Sequence, residues 1–83
     1  MPDTPFIKIT LLEVNPDHTL HLTFESGEKR IYDFKPDLER KIFSPLKNIT
    51  LFLQAKNDVY GVVWTDDLDI AAEHLYRNSI PAL

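Results

Sequence analysis

Apolar and polar residues in the first third of the chain follow the pattern of two β-strands. Residues 6–14 are rich in β-branched and aromatic types and lack Gly and Pro, which predicts a first strand with apolar residues on both faces. Residues 15–18 have the composition of a turn, and a second strand is predicted over Thr19–Phe24 because its residues alternate strictly. The residues of this second strand predicted to point inward are Leu20, Leu22 and Phe24.

The parity of the apolar residues around Gly27 predicts the loop of the next hairpin. A two-residue turn would pair Phe24 with Lys29 and place charges on the apolar face. A three-residue loop over 25–27 keeps even-numbered residues together and needs a left-handed third residue, which Gly27 supplies. We therefore predict a β-meander with a third strand over 29–34. The residues that this register adds to the inward face are Tyr32 and Phe34.

The middle of the chain predicts short helical turns followed by two more strands. Helical turns are expected over 37–43 and about 45–52, the second begun by Ser44 as N-cap ahead of Pro45. A fourth strand should end before Asn57. A fifth strand is expected over 59–64, where the glycine at position 61 marks a bulge or a close approach of another backbone.

Apolar spacing near the C-terminus predicts an amphipathic helix. Its stripe falls at i, i+3, i+4, i+7 and i+8 and consists of Leu68, Ala71, Ala72, Leu75 and Tyr76. Asp69 is the predicted N-cap, Glu73 and Arg77 have the spacing of an ion pair, and the helix should end near Asn78 because Pro81 cannot continue it. The predicted fold class is α+β: an antiparallel sheet of about five strands, short helical turns in the middle and one C-terminal helix packed on the sheet. A single small domain is expected over 1–83.

Composition excludes several kinds of chemistry. The 83 residues contain no Cys and two Gly, so a disulfide framework, a Cys-ligated zinc site, a thiol nucleophile and a phosphate-cradling loop are all excluded. None of the serines lies in the context of a nucleophile elbow, and a chain of this length encloses little interior. We expect a protein that is not an enzyme and needs no cofactor.

The termini and the net charge set expectations for compartment and partners. The N-terminal residues lack the basic and apolar regions of a secretory signal, and the apolar stretches are far too short to cross a bilayer. A cytoplasmic protein without a membrane segment is therefore expected. The net charge of -4 disfavours nucleic-acid binding by the chain alone, because such binding rests on neutralising phosphates.

Charge is distributed unevenly along the chain. Residues 29–47 hold six basic against three acidic residues, whereas 58–73 hold five acidic residues and neither Lys nor Arg. This asymmetry favours a protein partner. The candidate partner surface consists of Lys29, Arg30, Lys35, Arg40, Lys41 and Lys47. Arg30 shares the parity of the inward residues, so it either contacts a partner beyond the hairpin or lies along the sheet edge.

The acidic segment is the most metal-like feature of the sequence. The candidate acidic site consists of Asp66, Asp67 and Asp69, with His74 as a further member. A calcium loop begun at Asp67 fails because Ala72 occupies the position that requires Gly. The structural alternative is that these carboxylates cap and stabilise the start of the last helix. No metal ligand set is predicted.

Four ordered motifs resemble a known bacterial family, domain of unknown function 2442. They are Leu-Thr-Phe-Glu-Ser-Gly-Glu at 22–28, Tyr-Asp-Phe-Lys-Pro at 32–36, Phe-Ser-Pro-Leu-Lys-Asn at 43–48, and Val-Val-Trp at 62–64 continuing to Leu75 and Tyr76. The likeness runs over about 7–79. Family members often carry Pro-Asn-Gly after the Trp, where this chain has Thr65, Asp66 and Asp67.

The resemblance implies a small α+β domain with an antiparallel sheet and no established enzymatic activity. Some members resemble the N-terminal half of proteins that continue into a helix-turn-helix, and stand-alone members are often encoded beside another small protein in what look like toxin–antitoxin modules. Together with the residues, this predicts a non-enzymatic protein-interaction domain, antitoxin-like or regulatory, whose partner is a small co-encoded protein. A homodimer is an alternative partner. The alternative function is a small-molecule or metal-responsive sensor that uses the acidic segment.

Overall fold

The computed structural model describes residues 7–82 and contains two antiparallel sheets. The strands are β1 (Ile9–Val14), β2 (Thr19–Phe24), β3 (Lys29–Asp33), β4 (Lys56–Asn57), β5 (Gly61–Thr65), β6 (Leu68–Ala71) and β7 (Ile80–Pro81). One sheet has the order β1-β2-β3-β7 and the other β4-β5-β6. The α+β class and the antiparallel pairing are confirmed, whereas the expected single sheet of about five strands is two sheets of four and three strands.

Within residues 7–82, four short helical segments complete the fold. Two 3₁₀ helices, Lys35–Glu39 and Lys41–Lys47, are followed by α1 (Ile49–Phe52), and α2 (Ala72–Asn78) lies near the C-terminus. α2 packs against β3, β5 and β6, so it joins the two sheets. Within the described residues, no helix has the length and apolar character needed to cross a membrane.

The second hairpin has the register that parity predicts. Leu20 pairs with Tyr32 and Leu22 with Arg30, so even-numbered residues share the inner face. The Phe24 amide donates to the Glu28 carbonyl over 2.9 Å, which closes a three-residue loop. Gly27 adopts φ +91° in that loop, a conformation that glycine accepts without strain. The three-residue loop is confirmed, although β3 ends at Asp33 and Phe34 is the N-cap of the first 3₁₀ helix.

A bulge in β1 separates its two halves. The register shifts between Ile9 and Leu11, so Ile9 is buried while Leu11 is 62% exposed on the opposite face. Beyond the bulge, Leu12 and Val14 lie on the inner face opposite Leu22 and Leu20. Residue 6, the predicted start of this strand, lies outside the described residues.

Two predictions for the middle of the chain are wrong. Ser44 caps nothing, since Pro45 lies inside the second 3₁₀ helix. The cap of α1 is Asn48, whose Oδ1 accepts from the amide of Thr50 at 2.9 Å. The fourth strand does not end before Asn57: it is confined to Lys56–Asn57 and pairs with β5.

The segment predicted as the start of the C-terminal helix is a strand. Leu68 and Ile70 are buried and Asp69 is exposed, which is the period of a strand, and Asp69 pairs with Val63 of β5. Ala71 rather than Asp69 precedes the first helical residue, and its side chain makes no capping hydrogen bond. The helix is therefore shorter than the apolar stripe indicates, although its end at Asn78 is as predicted.

The core lies where the two sheets and the helical segments meet. Phe34 is completely buried, and its ring centroid lies 5.2 Å from that of Phe43, 5.5 Å from Phe52 and 5.3 Å from Trp64. The Trp64 indole N–H donates to the Phe52 carbonyl over 2.9 Å, which satisfies the one polar atom of that side chain. One aromatic cluster thus ties the residue that follows β3, the helical segments and β5 together.

Gly61 lies where two strands approach each other closely. This is one of the two alternatives that the sequence offered for this glycine, the other being a bulge. A Cβ at this position would lie 2.7 Å from the backbone oxygen of Ile70. We expect Gly61→Ala to lower the free energy of unfolding by about 2 kcal/mol, because β5 and β6 would have to separate. Urea denaturation followed by the fluorescence of Trp64 measures this. If Gly61→Ala were as stable as the wild type, the close approach of β5 and β6 at this position would be contradicted.

Candidate interaction surface

The four-stranded sheet has one face covered by the core and one face that residues 7–82 leave open. Cross-strand pairs arrange the open side in rows, and the longest row crosses all four strands. We call this side the outer face. Its residues are Leu11, Glu13, Thr19, His21, Thr23, Lys29, Ile31, Asp33 and Ile80.

The outer face combines exposed apolar side chains with few charges. Leu11 is 62% exposed and Ile80 64%, while Ile31 is half-buried between its neighbours. His21 and Glu13 are exposed, so no described element covers this face. Antiparallel sheets commonly have one solvated face, but that face is ordinarily polar. The apolar side chains at its margins therefore distinguish this face from a merely solvated one.

The ionisable groups of the outer face are weakly paired. The Nδ1 atom of His21 lies 3.8 Å from a Glu13 carboxylate oxygen, and both side chains are largely exposed. Lys29 and Asp33 lie at opposite ends of β3, and the exposed Asp33 carboxylate pairs with Lys35 at 3.1 Å. Exposed pairs of this kind contribute little to folding, which leaves their charges available to a partner.

Arg30, one of the candidate partner residues, faces inward. Its Nε donates to the Ser79 hydroxyl over 2.6 Å, its Nη2 to the Ser79 carbonyl over 2.7 Å and its Nη1 to Glu28 over 2.6 Å. The guanidinium also stacks on the Tyr76 ring, 4.8 Å from its centroid. With its side chain 14% exposed, Arg30 holds the C-terminal segment to the hairpin.

The other five candidate basic residues occupy different parts of the fold. Lys29 lies on the outer face, and Lys35 contacts Asp33 at 3.1 Å just beyond the end of β3. Arg40 lies over the Phe43 ring, at 5.6 Å from its centroid. The second 3₁₀ helix carries the exposed Lys41 and Lys47. The structure therefore does not gather the six basic residues into one patch with Arg30.

The candidate acidic residues lie at a hairpin. Asp66 and Asp67 form the turn between β5 and β6, and Asp69 lies on β6 with its side chain exposed. His74 lies on α2 and faces Tyr32 rather than the acidic turn. Among residues 7–82, no group of three or more His, Asp or Glu side chains could hold a metal ion.

A buried tyrosine links three elements that the sequence does not bring together. The Tyr32 hydroxyl donates to Asp37 and lies 3.3 Å from Nε2 of His74. Burial, followed by the hydrogen bond to the Asp37 carboxylate, raises the pKa of the Tyr32 phenol above its usual value. The neutral phenol therefore serves as a hydrogen-bond donor between β3, the first 3₁₀ helix and α2. No local spacing reveals this cluster, since His74 is 42 residues from Tyr32.

The hydrogen bonds of Glu28 make folding dependent on pH. The Tyr76 hydroxyl donates to Glu28 over 2.7 Å, and this bond together with Arg30 lowers the pKa of the Glu28 carboxyl below its ordinary 4.5. Because the folded pKa is lower than the unfolded one, this stabilisation is present above about pH 4.5 and lost as pH falls through the folded pKa. We expect Glu28→Gln to weaken the acid dependence of stability.

Urea denaturation at neutral and acid pH tests this expectation. Exposed Glu39→Gln is the matched control, since it removes a carboxylate without removing this network. The loss of stability on acidification should be smaller in Glu28→Gln than in wild type or the control. Equal acid dependence of all three proteins would contradict the role of Glu28.

Comparison with known proteins supports the resemblance carried by the motifs. The family model described as "Protein of unknown function (DUF2442)" matches residues 9–81, which span every strand from β1 to β7. No curated protein and no solved structure gave a significant match. The chain therefore belongs to the DUF2442 family of proteins of unknown function.

Proposed function

We propose that the protein is a non-enzymatic protein-interaction domain that binds through the outer face of its four-stranded sheet. The observation that carries this proposal is the exposure of Leu11 and Ile80, 62% and 64%, on a face where Ile31 is also accessible. Burial of these side chains by a partner would stabilise a complex at about 25 cal/mol per Å² of apolar surface removed from water.

The chemistry of the face favours a protein over other partners. Its charged members are two acidic and one basic side chain, so it offers no array of cations for a phosphate backbone. Thr19 and Thr23 supply β-branched surface between the apolar residues. A flat surface of this composition suits a second protein element better than a small molecule, which binds in a concave site.

The partner proposed is a small co-encoded protein, for which this domain acts as an antitoxin-like or regulatory subunit. Its support is the resemblance of this chain to a family in which stand-alone members are often encoded in such modules. The experiment is isothermal titration of the purified domain with the product of the adjacent gene. A complex with micromolar or tighter affinity is expected, whereas no binding at micromolar concentration would contradict the proposal.

Paired surface variants show whether the outer face is the site. Leu11→Glu with Ile80→Glu should weaken binding at least about tenfold, because both charges would lie in the interface. Ile42→Glu with Leu53→Glu is the matched control, since these residues are exposed at 57% and 43% outside the outer face. Equal loss in both pairs, or loss in the control alone, would place the site elsewhere.

A further inference from the structure

The two edges of the four-stranded sheet differ in what they offer another strand. At the β7 edge, Ile31 pairs with Ile80 and the Ala82 amide donates to the Lys29 carbonyl over 2.9 Å. This alternation directs the backbone of Pro81 away from β3, and proline has no N–H to donate. The β7 edge is therefore poorly suited to pairing.

Among residues 7–82, other segments cover the β1 edge at one end only. The Ile9 amide donates to the Val59 carbonyl over 2.7 Å, and Nδ2 of Asn57 donates to the Ile9 carbonyl over 2.9 Å. The Asn57 Oδ1 atom accepts from the Val59 amide at 2.8 Å, and Val59 is held at φ +65°, a strained conformation for a β-branched residue. These bonds hold the 57–59 segment against the start of β1. The cover that this segment gives to the β1 edge ends at Ile9.

The rest of β1 directs backbone groups outward. The Asn15 amide donates to the Thr19 carbonyl over 3.0 Å, which sets the alternation of hydrogen-bonded pairs along β1 and β2. By that alternation Glu13 and Leu11 bond to β2, whereas Leu12 and Val14 direct their N–H and C=O groups away from it. No other described strand lies beyond β1 in the sheet, so these four groups can bond to an added strand.

We propose that β1 is a docking edge for an extended strand of a partner protein, with a basic side chain of that strand opposite Glu13. This inference rests on the proposed function and specifies its mode of binding. Glu13 is the one charged residue of β1, and its side chain is 70% exposed on the outer face. A Lys or Arg directly across would be a favourable cross-strand pair.

The same residue argues against a second copy as the occupant. Two copies of β1 related by a two-fold axis use all four outward groups of each strand only when Leu12 of one faces Val14 of the other. In that register the two Glu13 side chains stand directly opposite, with their Cα atoms about 4.5 Å apart. Like charges at this separation destabilise a strand pair.

Apolar side chains beside the edge define the remaining chemistry of the added strand. Leu11 is 62% exposed, Val59 45% and Tyr60 51%, with the Lys8 ammonium 5.9 Å from the Tyr60 ring centroid. Val59 bonds to the strand itself, so this apolar surface continues along the edge. The residue of the partner strand that faces Leu11, two positions from its basic residue, should therefore be apolar or β-branched.

Synthetic peptides test the edge directly. The probe is an acetylated, amidated peptide Thr-Val-Lys-Val-Thr-Val, titrated to millimolar concentration into ¹⁵N-labelled protein. Its controls are the same peptide with Glu in place of Lys and the Lys peptide with alternate amides methylated. Shift changes should fall on residues 11–14, with slower amide exchange at Leu12 and Val14. The Glu peptide should bind about fivefold more weakly, and the methylated peptide should not bind.

Charge exchange separates the edge from other sites. Glu13→Lys should invert the preference, so that the Glu peptide binds about fivefold more tightly than the Lys peptide. Shift changes centred on β6 or the 3₁₀ helices, no binding at millimolar concentration, or an unaltered preference in Glu13→Lys would overturn the proposal. A concentration-dependent dimer that protects Leu12 and Val14 without peptide would overturn it in favour of a second copy.

The outcome for the edge is distinguishable from that for the proposed function. If the protein binds the adjacent gene product through the outer face but shows none of the expected peptide effects, the proposed docking edge is wrong and the proposed function stands. If it binds the Lys peptide at β1 but does not bind the adjacent gene product, the docking edge stands and the proposed partner is wrong.

Discussion

Phe34→Ala is expected to destabilise the fold strongly. Phe34 is completely buried, and its ring packs against Phe43, Phe52 and Trp64, with Tyr32 at a centroid distance of 6.0 Å. Truncation of a buried Phe to Ala costs about 3–5 kcal/mol through lost burial and the cavity left behind. A domain of this size has a total stability of about 4–12 kcal/mol, so this loss is a large fraction of the total and approaches the whole at the lower end of that range.

Chemical denaturation followed by Trp64 fluorescence measures the effect, since this is the only Trp in the chain. Phe34→Leu keeps an apolar side chain and should cost less than Phe34→Ala. Ile42→Ala, at a residue 57% exposed, should change stability by less than about 0.5 kcal/mol. A loss below about 1 kcal/mol in Phe34→Ala would contradict the central position of this ring.

Arg30→Met is expected to release the C-terminal segment and to cost about 2–3 kcal/mol. Methionine retains a flexible apolar stem but has no donor for the Ser79 hydroxyl and carbonyl, which Arg30 binds at 2.6 and 2.7 Å. The Glu28 carboxylate would lose its cation as well. Because β7 follows Ser79 directly, its pairing with β3 should weaken together with the end of α2.

Lys29→Met is the control, because it makes the same chemical change on the neighbouring residue, which is exposed on the outer face. Denaturation gives the stability difference, and amide exchange at Ile80 and Ala82 reports on β7 specifically. Exchange should accelerate in Arg30→Met and not in Lys29→Met. Equal stabilities of the two variants would show that Arg30 does not anchor this segment.

The hairpins were predictable because their determinants are local. Strict alternation over Thr19–Phe24 identifies the inner face, and the position of Gly27 fixes the loop length, so both follow from a short stretch of sequence. The inward direction of Tyr32 follows from the same register. Register in this part of the chain is set by which side chains the core can bury.

The C-terminal segment was mispredicted because two periods overlap in it. Leu68 and Ala72 fit a helical stripe, but Leu68, Ile70 and Ala72 also alternate, and the turn at 66–67 lets this segment pair with β5. The pairing of this segment with β5 outweighed its helical spacing, so residues 68–71 form a strand. β7 was missed for a related reason, since Ile80 pairs with Ile31 far away in the sequence and its proline signals only the end of a helix.

The candidate surface was only partly accessible to sequence reasoning. Charge identified Lys29 and Arg30 together, but strand alternation separates them, and the partners of Arg30 lie near the C-terminus. The outward positions of His21 and Thr23 follow from the alternation of their strand, whereas the exposure of Leu11 depends on a bulge that no residue type indicates. Long-range pairing and the bulge, rather than composition, determine which residues form the outer face.

Hydrogen exchange followed by mass spectrometry, on the free domain and on its complex with the adjacent gene product, tests the central claim most directly. Binding through the outer face and its edge predicts new protection in Ile9–Val14 and Lys29–Asp33, with the segment 41–53 unchanged. Protection confined to 41–53 or to the acidic turn at 66–67, with β1 and β3 unchanged, would contradict it.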